Sequence, residues 1–376
     1  MAFESPEIYE EFRTTVRRLA NEKIRPHAAR VDREKARPIE AHRAFRDAGL
    51  LGLPYPEELG GQGGDSMAQI IAVEEIARVD ATSCLALANN WIVLYPLLTN
   101  GSDALKKRVI PDICNGTSLA SWCLTEPMAG SDLAGLKTKA EQRDGGWVLN
   151  GHKRFITHAG WADWYLVLAK TGEKNYGIFV VHRDNPGISF GKPESKMGLR
   201  GSPTADVVLE NCFVTNDEAV ADPTQGYRYV IDSLNYSRPI IAAQALGIAQ
   251  GALDEAINYT RERRQFNQPI SQFQLVRGML ADMAVKVESS RSLLYHTLTL
   301  VETDPEKSRA FASMAKLLCS ETAMSVTIDA VQLHGGYGFT EDYPVERMMR
   351  DAKITQIYEG TSQIQRLIIG KYVLGN

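Results

Sequence analysis

The sequence lacks the features that define several large classes of protein. Its five cysteines lie without close pairing, which indicates free thiols in a reducing compartment and gives no cluster with zinc-ligand spacing. No long run of like charges marks an acidic or basic tail, and 42 Lys and Arg residues nearly balance 46 Asp and Glu residues. The composition therefore gives no indication of nucleic-acid binding.

Common catalytic and targeting signatures are missing as well. The chain contains no Walker phosphate loop, no zinc-protease helix motif and no serine nucleophile elbow. Its first residues are charged and predict an amphipathic helix, which is unlike a signal or transit peptide. We find no apolar run long enough to span a bilayer. These absences predict a soluble protein without membrane association, either bacterial and cytoplasmic or the mature form of an organellar protein.

The pattern of apolar residues changes twice along the 376 residues, of which 44% are hydrophobic. Residues 1–116 show mostly helical spacing and predict an N-terminal α-helical domain. Residues 117–225 contain short segments rich in Val, Ile, Phe and Trp, separated by turn residues, and predict a β domain. Helical spacing returns in residues 226–376 and predicts a four-helix bundle. The fold class expected from this order is α+β.

The predicted β domain contains the dipeptide Asn150-Gly151, which is a strong hairpin signal. No segment of helical length separates its strands, so parallel crossover units are not expected. The sequence therefore predicts a small antiparallel barrel or sandwich.

Two glycine-containing segments have the composition of ligand-binding loops. The segment "WCLTEPMAGSDLAG" brings Thr125, Gly130 and Ser131 close together, which suits a phosphate or the edge of a heteroaromatic ring. By itself it is more typical of an ordinary turn. The segment "LHGGYGFTEDYP" ends a predicted helix with Gly335 and Gly336, as a helix C-cap requires. Because no strand precedes it, it is not a dinucleotide-binding fingerprint.

Two further segments carry charged groups with two interpretations each. The segment "RERRQF" is typical of the solvated basic end of a helix, although Arg263 and Arg264 have forked donors that suit a pyrophosphate. The segment "TQIYEGTSQIQRLIIGKY" places Glu359 between two predicted helices, the second of which Thr361 or Ser362 can cap. Glu359 is then either a solvated acid near a helix start or a base held over a ligand.

In their order along the chain, six segments resemble the acyl-CoA dehydrogenase family of flavoenzymes over nearly the whole length. They are "LTEPMAGSD", "LNGHKRFIT", "KMGLRGSPTADVVLENC", "SRPIIAAQALGIAQGALDEAINYTRERRQF", "AVQLHGGYGFTEDYPVERMMRDAKI" and "IYEGTSQIQR". The fold that this resemblance implies is a helical domain, a β domain and a four-helix bundle.

The resemblance implies that Glu359 is the catalytic base. In the family this base removes the α-proton of an acyl-CoA thioester while the β-hydrogen leaves as a hydride to the flavin. A partly desolvated carboxylate has a raised pKa that suits a base near neutral pH. The base's own backbone N–H and a flavin ribityl hydroxyl bind the thioester carbonyl in the family, so the N–H of Glu359 is implied as an oxyanion donor. Some members carry the base on a long C-terminal helix, but the matching position here is Ser237.

The implied cofactor is FAD. The residues that match its contacts are Trp122, Leu124, Thr125, Gly130, Ser131, Phe155, Thr157, Arg263, Phe266, Gln332, Gly335, Gly336, Thr361 and Gln363. Thr157 matches the hydroxyl donor to flavin N5. Phe155 stands where tryptophan is frequent, so it loses an indole donor but keeps a stacking face.

The family completes each FAD site from a neighbouring subunit. The matching residues here are Arg263, Phe266, Gln332, Gly335 and Gly336, which implies an obligate oligomer, in the family usually a homotetramer of two dimers. Asn267 stands where glycine is common, which leaves the conformation of that turn open.

The implied substrate-binding residues are Ser131, Asn235, Arg238, Tyr358 and Gly360. Trp91 and Tyr95 either approach the acyl end, which favours a compact acyl group, or pack in the core. The segment "DATSCLALANNW" contains no arginine, whereas glutaryl-CoA members keep one there for the distal carboxylate. A dicarboxylic substrate is therefore disfavoured, and short-chain, branched and alicyclic acyl-CoAs remain open.

The function implied by the resemblance is FAD-dependent α,β-dehydrogenation of an acyl-CoA, with an electron-transfer flavoprotein as electron acceptor. Three alternatives remain: an acyl-CoA oxidase that reduces oxygen, a decarboxylating or desulfinating lyase on the same fold, and a non-catalytic acyl-CoA or flavin-binding protein. The short chain disfavours the oxidase. The presence of Glu359 disfavours the other two.

Overall fold

The fold is described from a computed structural model, which describes residues 7–375. The N-terminal part is helical up to Cys114. Its α-helices are α1 (Glu7–Leu19), α2 (Arg25–Arg33), α3 (Ile39–Asp47), α4 (Ser66–Ala77), α5 (Ala81–Asn100) and α6 (Asp103–Cys114), with a π-helical turn, Ala20–Ile24, between α1 and α2. Side-chain caps fix where three of these helices begin. Asp65, Asp80 and Ser102 each accept a hydrogen bond from the backbone N–H three residues later, at the starts of α4, α5 and α6.

The middle part is a seven-stranded sheet. Its strands are β1 (Ala120–Cys123), β2 (Lys139–Arg143), β3 (Gly146–Thr157), β4 (Trp164–Lys170), β5 (Tyr176–His182), β6 (Ile188–Phe190) and β7 (Thr204–Thr215). The order is β1-β4-β2-β3-β7-β6, with β5 on the other side of β4. The pairs β2–β3, β3–β7, β4–β5 and β6–β7 are antiparallel as expected.

Two details of the sheet differ from the sequence prediction. Strands β1 and β4 pair in parallel, because the β2–β3 hairpin, without a helix, carries the chain back to the start of β4. Asn150 and Gly151 lie inside β3 at an irregularity opposite β7, so the hairpin prediction there was wrong. The β2–β3 turn is instead at Asp144-Gly145, where Gly145 has a φ of 78°. A Cβ at Gly151 would lie 2.2 Å from the Thr138 hydroxyl, so close packing explains this glycine.

Strands β4 and β5 lie between two hydrophobic cores. Leu166 and Ile178 face the large core that also contains both helical parts of the chain, whereas Val167 and Phe179 face a smaller core within the β part. Burial on both faces explains why these strands are almost continuously apolar. It also fixes the sheet against the helices that carry the candidate site.

The C-terminal part is again helical. It contains α7 (Gly226–Glu262), a two-stranded turn formed by β8 (Arg264–Gln265) and β9 (Gln268–Pro269), α8 (Gln274–Thr303), α9 (Pro305–His334), α10 (Val345–Thr355) and α11 (Ser362–Leu374). Helices α7, α8 and α11 all pack against α9, and α10 packs on α7 and α9. The overall order of helices, sheet and helices agrees with the predicted fold class.

Two helices are long and apolar enough, by length and composition, to cross a membrane. The sequence prediction that no apolar run reaches this length was therefore wrong. The two helices are Ala81–Asn100 and Gly226–Glu262. Within the protein, 89% and 78% of their apolar windows are buried, as in core helices. Packing against the other helices and the sheet therefore accounts for their hydrophobicity.

Asp351 lies where the three parts of the chain meet, near Leu199 of the middle part and the carboxylates of Asp32 and Asp80 of the N-terminal part. Asp351 on α10 accepts a hydrogen bond from the Leu199 backbone N–H in the loop between β6 and β7, with an N···O distance of 2.6 Å. Burial raises the pKa of Asp351 to about 7, the carboxylates of Asp80 and Asp32 add to the rise, and the Leu199 N–H and Arg347 oppose it. The folded state thus disfavours the charged form of Asp351.

Asp351→Asn is therefore expected to stabilise the protein at alkaline pH. An aspartate whose pKa is raised by folding contributes stability at low pH and loses it as pH rises through the folded-state value. A rise from 3.8 to about 7 corresponds to at most about 4 kcal/mol of the free energy of unfolding at pH 8. Asparagine keeps the acceptor for Leu199, so thermal unfolding should show a higher Tm than wild type at pH 8 and no gain near pH 4. A lower Tm at pH 8 would contradict this, and Asp351→Ala, which loses the acceptor, should be less stable throughout.

Candidate active site

Glu359 lies in the turn between α10 and α11, in a strained backbone conformation. Its φ is 54°, in the left-handed region that non-glycine residues rarely occupy, and Gly360 follows with a φ of 93°. The Gln365 side-chain amide donates to both carbonyls of this turn, at 3.1 Å to Glu359 and 3.0 Å to Gly360. Thr361 caps α11 by accepting from the Ile364 N–H. Glu359 therefore lies outside the helix, held by contacts that stabilise the strained turn.

The carboxylate of Glu359 is partly buried and lies near one hydrogen-bond partner and two positive charges. Its Oε2 accepts a hydrogen bond of 2.6 Å from the Ser237 hydroxyl on α7. Burial raises the pKa of Glu359, while the Ser237 hydrogen bond and the positive charges of Lys316 and Arg238 oppose the rise. This environment excludes the interpretation of Glu359 as a solvated helix-start acid. It suits a base that titrates above the ordinary carboxylate range.

Residues on α7 form one side of this site. Asn235, Ser237 and Arg238 occupy neighbouring positions, and the Arg238 guanidinium donates to the Asn235 side-chain oxygen at 2.8 Å. Arg238 is 6% exposed, and its Nε has no hydrogen-bond partner among the described residues. A buried guanidinium with a spare donor is suited to a polar ligand group. The structure thus brings the predicted residues Asn235 and Arg238 together with Glu359.

Tyr358 lies beside the base and is anchored to α7. Its hydroxyl donates to the side-chain oxygen of Gln244, and the Gln244 amide donates to the Ala81 carbonyl at 3.1 Å. Gln244 is 1% exposed. A buried polar side chain therefore fixes the position of the Tyr358 hydroxyl.

The two aromatic residues of α5 have different environments. Trp91 is buried and its indole N–H donates to the Leu51 carbonyl at 3.0 Å, so the core interpretation holds for this ring. Tyr95 stacks on Tyr236 of α7 with a centroid distance of 4.2 Å. Both tyrosines and Asn235 line a cavity of about 340 Å³. Tyr95 thus remains a candidate for contact with substrate.

A buried ion pair anchors the loop that follows β1 to strand β3. Lys153 is fully buried on β3 and its Nζ lies 2.9 Å from Glu126, whose carboxylate also accepts from the N–H and hydroxyl of Thr138. At the start of this loop the Trp122 indole N–H is buried without an acceptor among the described residues. At its tip a Cβ on Gly130 would meet nothing within 4 Å. The predicted stretch from Trp122 to Ser131 therefore has a buried unpartnered donor at one end and open space at Gly130.

Phe155 and Thr157 lie at the end of β3, next to this loop. The Arg154 N–H donates to the Thr125 carbonyl, and the Ser121 hydroxyl donates to the Thr157 carbonyl at 2.5 Å. Phe155 has a φ of 58° at a strand irregularity and is 58% exposed. The Arg154 guanidinium lies over this ring, 4.7 Å from its centroid, and the exposed remainder of the ring is consistent with stacking on a ligand.

The third group of predicted residues lies where α7 and α9 end. Arg263, Gln332, Gly335 and Gly336 line a cavity of about 580 Å³. Phe266 protrudes from the β8–β9 turn with 87% of its surface exposed. No hydrogen bond among the described residues joins this group to Glu359 or to the loop after β1. The predicted cofactor residues thus fall into two sets that no described hydrogen bond connects within one chain.

The open question about Asn267 is answered by the backbone. Phe266 and Asn267 both have positive φ values, 51° and 64°, and together form the two-residue turn between β8 and β9. Asparagine tolerates this conformation better than most residues. Asn267, which stands where glycine is common in the family, therefore keeps the left-handed conformation of the turn.

Sequence reasoning missed three residues around the base: Lys316, Gln365 and Gln244. They lie on α9, α11 and α7 and contact residues 358–360. A signal existed for Lys316, which is a single cation within the apolar stretch "FASMAKLLCS". Such a residue on a buried helix is unusual and often functional.

Three family models match the chain. They are described as the N-terminal, middle and C-terminal domains of acyl-CoA dehydrogenase and match residues 6–117, 121–212 and 224–374. The "Probable acyl-CoA dehydrogenase FadE25" of Mycobacterium tuberculosis is 46% identical over 377 residues, covering 99% of this chain and 97% of the relative. The "Cyclohexane-1-carbonyl-CoA dehydrogenase" of Geobacter metallireducens is 41% identical and covers 96% of both chains. The structure of butyryl-CoA dehydrogenase from Megasphaera elsdenii matches with a TM-score of 0.95 and 35% identity, covering 100% of both chains.

The chain therefore belongs to the acyl-CoA dehydrogenase family. Its members are flavoprotein oxidoreductases, and this class of activity agrees with the desolvated carboxylate and the aromatic, glycine-lined surfaces described above.

Proposed function

We propose that the protein dehydrogenates a compact acyl-CoA to the trans-2,3-enoyl-CoA with Glu359 as the base. The observation that carries this proposal is the Glu359 carboxylate, partly buried in a strained turn and hydrogen-bonded to Ser237. The carboxylate takes the α-proton, the α-carbon electron pair forms the new double bond, and the β-hydrogen leaves with its electron pair. Bound FAD supplies the acceptor for that hydride.

The α-proton becomes acidic enough for removal when a hydrogen-bond donor polarises the thioester carbonyl. The backbone N–H of Glu359 has no acceptor among the described residues, so it is available for this role. Its left-handed conformation, supported by Gln365, fixes the direction of that N–H relative to the carboxylate. One residue then supplies both the base and a donor to the developing oxyanion.

The residues present fit FAD. The unpartnered Trp122 indole N–H and the open space at Gly130 suit the polar edge and phosphates of the cofactor, and the exposed Phe155 ring suits its ring system. Leu124, Thr125, Ser131 and Thr157 would complete this part of the site, with Thr361 and Gln363 at the start of α11. The cavity with Arg263, Gln332, Gly335 and Gly336, together with Phe266, would serve the FAD of a neighbouring subunit in a homotetramer.

A compact acyl group without a distal charge is supported by residues near Tyr358 and by the sequence of α5. The buried Gln244 side chain binds the Tyr358 hydroxyl, and the segment from Asp80 to Trp91 contains no arginine for a distal carboxylate. The names of the relatives, which include a cyclohexane-1-carbonyl-CoA and a butyryl-CoA dehydrogenase, point to alicyclic or short acyl groups. Asn235 and Arg238 would lie near the pantetheine and adenine portions of CoA, Ser131 would also contact CoA, and Gly360 would contact the substrate. An electron-transfer flavoprotein is the proposed electron acceptor.

The test is anaerobic flavin reduction with a panel of saturated acyl-CoAs: butyryl, hexanoyl, octanoyl, isobutyryl, isovaleryl, glutaryl and cyclohexanecarbonyl. We expect rapid loss of flavin absorbance with a short, branched or cyclic member, little reduction by octanoyl-CoA and none by glutaryl-CoA. The product is identified as the 2,3-enoyl-CoA by mass spectrometry. Absence of reduction by every member, or loss of a carboxyl group from the product, would contradict the proposal.

A further inference from the structure

Lys316 on α9 is a fully buried lysine without a carboxylate partner. Its side chain is 0% exposed, and no Asp or Glu oxygen among the described residues lies within 4.0 Å of its Nζ. Among the described residues, its one hydrogen-bond acceptor is the Gly360 carbonyl, at 2.7 Å. Buried ammonium groups are usually paired with a carboxylate, so this arrangement requires another explanation.

Lys316 contacts the turn that contains Glu359. The left-handed conformations of Glu359 and Gly360 direct both carbonyls toward donors from other helices. Gln365 binds both carbonyls, and Lys316 adds a second donor to that of Gly360. Side chains of α11 and α9 therefore stabilise the turn, while Ser237 of α7 donates a hydrogen bond to the Glu359 carboxylate.

The charged and titratable groups that face Glu359 come from two helices. Arg238 lies on α7 and Lys316 on α9, and both are buried. Burial lowers the pKa of Lys316 to about 8, with Arg238 adding to the fall and Glu359 and Glu321 opposing it. Glu321 is on the exposed side of α9, where it pairs with Arg366. Lys316 is thus largely charged at neutral pH and lies next to the base.

We propose that Lys316 is a positioning residue for the dehydrogenation: its ammonium holds the Gly360 carbonyl, and its charge favours the ionised form of the adjacent base. The inference rests on the proposed role of Glu359. Lys316 does not touch the reacting carbon atoms. It acts by binding the turn that contains Glu359 and by the effect of its positive charge on the ionisation of the carboxylate.

The test compares Lys316→Met, Lys316→Gln and Lys316→Arg with wild type as FAD-loaded enzymes. The pH dependence of kcat and KM is measured with the acyl-CoA that reduces the flavin best. The protonation of Glu359 is followed separately by infrared difference titration of the resting enzyme, with Glu359→Gln identifying its carboxyl band. Glu321→Gln is the matched control, because it removes a charge near Lys316 and leaves the Gly360 contact intact.

Lys316→Met is expected to move the acid limb of kcat and the carboxyl titration to higher pH by about one unit. At pH values below the wild-type acid limb kcat then falls about tenfold, with a smaller loss above it, while KM changes less than about twofold because substrate contacts remain. Lys316→Arg should restore most of the shift, and Glu321→Gln should show none. Lys316→Gln keeps a donor for Gly360 without charge and is expected to show the shift even where the methionine variant folds poorly.

An unmoved carboxyl titration in a folded, FAD-loaded Lys316→Gln or Lys316→Met variant overturns the inference, even where stability has fallen. The infrared titration also separates this inference from the proposed function. If no acyl-CoA reduces the wild-type flavin, the proposed function fails, and the titration still decides whether Lys316 controls the ionisation of Glu359.

Discussion

Glu359→Gln is expected to lower kcat for acyl-CoA dehydrogenation by about a hundred- to ten-thousand-fold, the usual contribution of a general base. Glutamine has nearly the same shape and keeps the backbone N–H and the acceptor for Ser237. The change therefore removes proton abstraction alone. A loss of this size corresponds to about 3–5 kcal/mol of transition-state stabilisation. It is measured as the rate of flavin reduction under anaerobic, substrate-saturating conditions.

The pH dependence supplies a second criterion for the same residue. Because burial raises the pKa of Glu359, the wild-type rate should fall with decreasing pH at a value above the ordinary range of glutamate. The base is active only when ionised, so activity is present above this pKa and lost below it. The glutamine variant should lack this limb while binding FAD and acyl-CoA normally. A variant that reduces its flavin within about threefold of the wild-type rate would show that another group is the base.

Local signals in the sequence predicted the order of secondary structure well. The apolar runs of β4 and β5 and the Asp or Ser caps of α4 to α6 are readable within a few residues. The Asn150-Gly151 signal failed because the conformation of a strand irregularity depends on its neighbour β7, which lies far along the chain. The parallel β1–β4 pair was missed for a similar reason, since a hairpin replaces the helical crossover.

The candidate site was less accessible to sequence reasoning. The resemblance identified Glu359, but the residues that set its environment come from other helices. Ser237 lies 122 residues away in sequence and Lys316 lies 44 residues from the carbonyl it binds. Side-chain desolvation depends on which helices pack together, and no local pattern reports it. The assignments of FAD and substrate residues remain predictions from the resemblance, supported here by free donors and open surfaces.

A shared cofactor site predicts that two inactive variants restore activity when they are combined. Glu359→Gln removes the base, and Arg263→Glu places a negative charge in the cavity proposed for the phosphates of a neighbour's FAD. Each variant alone should be nearly inactive. In a mixed dimer, the Arg263→Glu subunit keeps its own Glu359 and receives Arg263 from its partner, which gives one intact site. The other site of that dimer carries both defects.

Random pairing makes half of the dimers mixed, each with one of its two sites intact, so coexpression should recover about one quarter of wild-type activity. The two variants carry different affinity tags, and sequential purification isolates mixed oligomers, in which activity per site should reach about one half of wild type for dimers and about two sevenths for tetramers of two dimers. The double variant Glu359→Gln/Arg263→Glu coexpressed with itself is the control and should stay inactive. If each chain instead bound its FAD alone, mixing would create no intact site and activity would remain at the level of the single variants. The Arg263 cavity does not include Glu359 among its lining residues, and this favours the shared arrangement for a cofactor that contacts both.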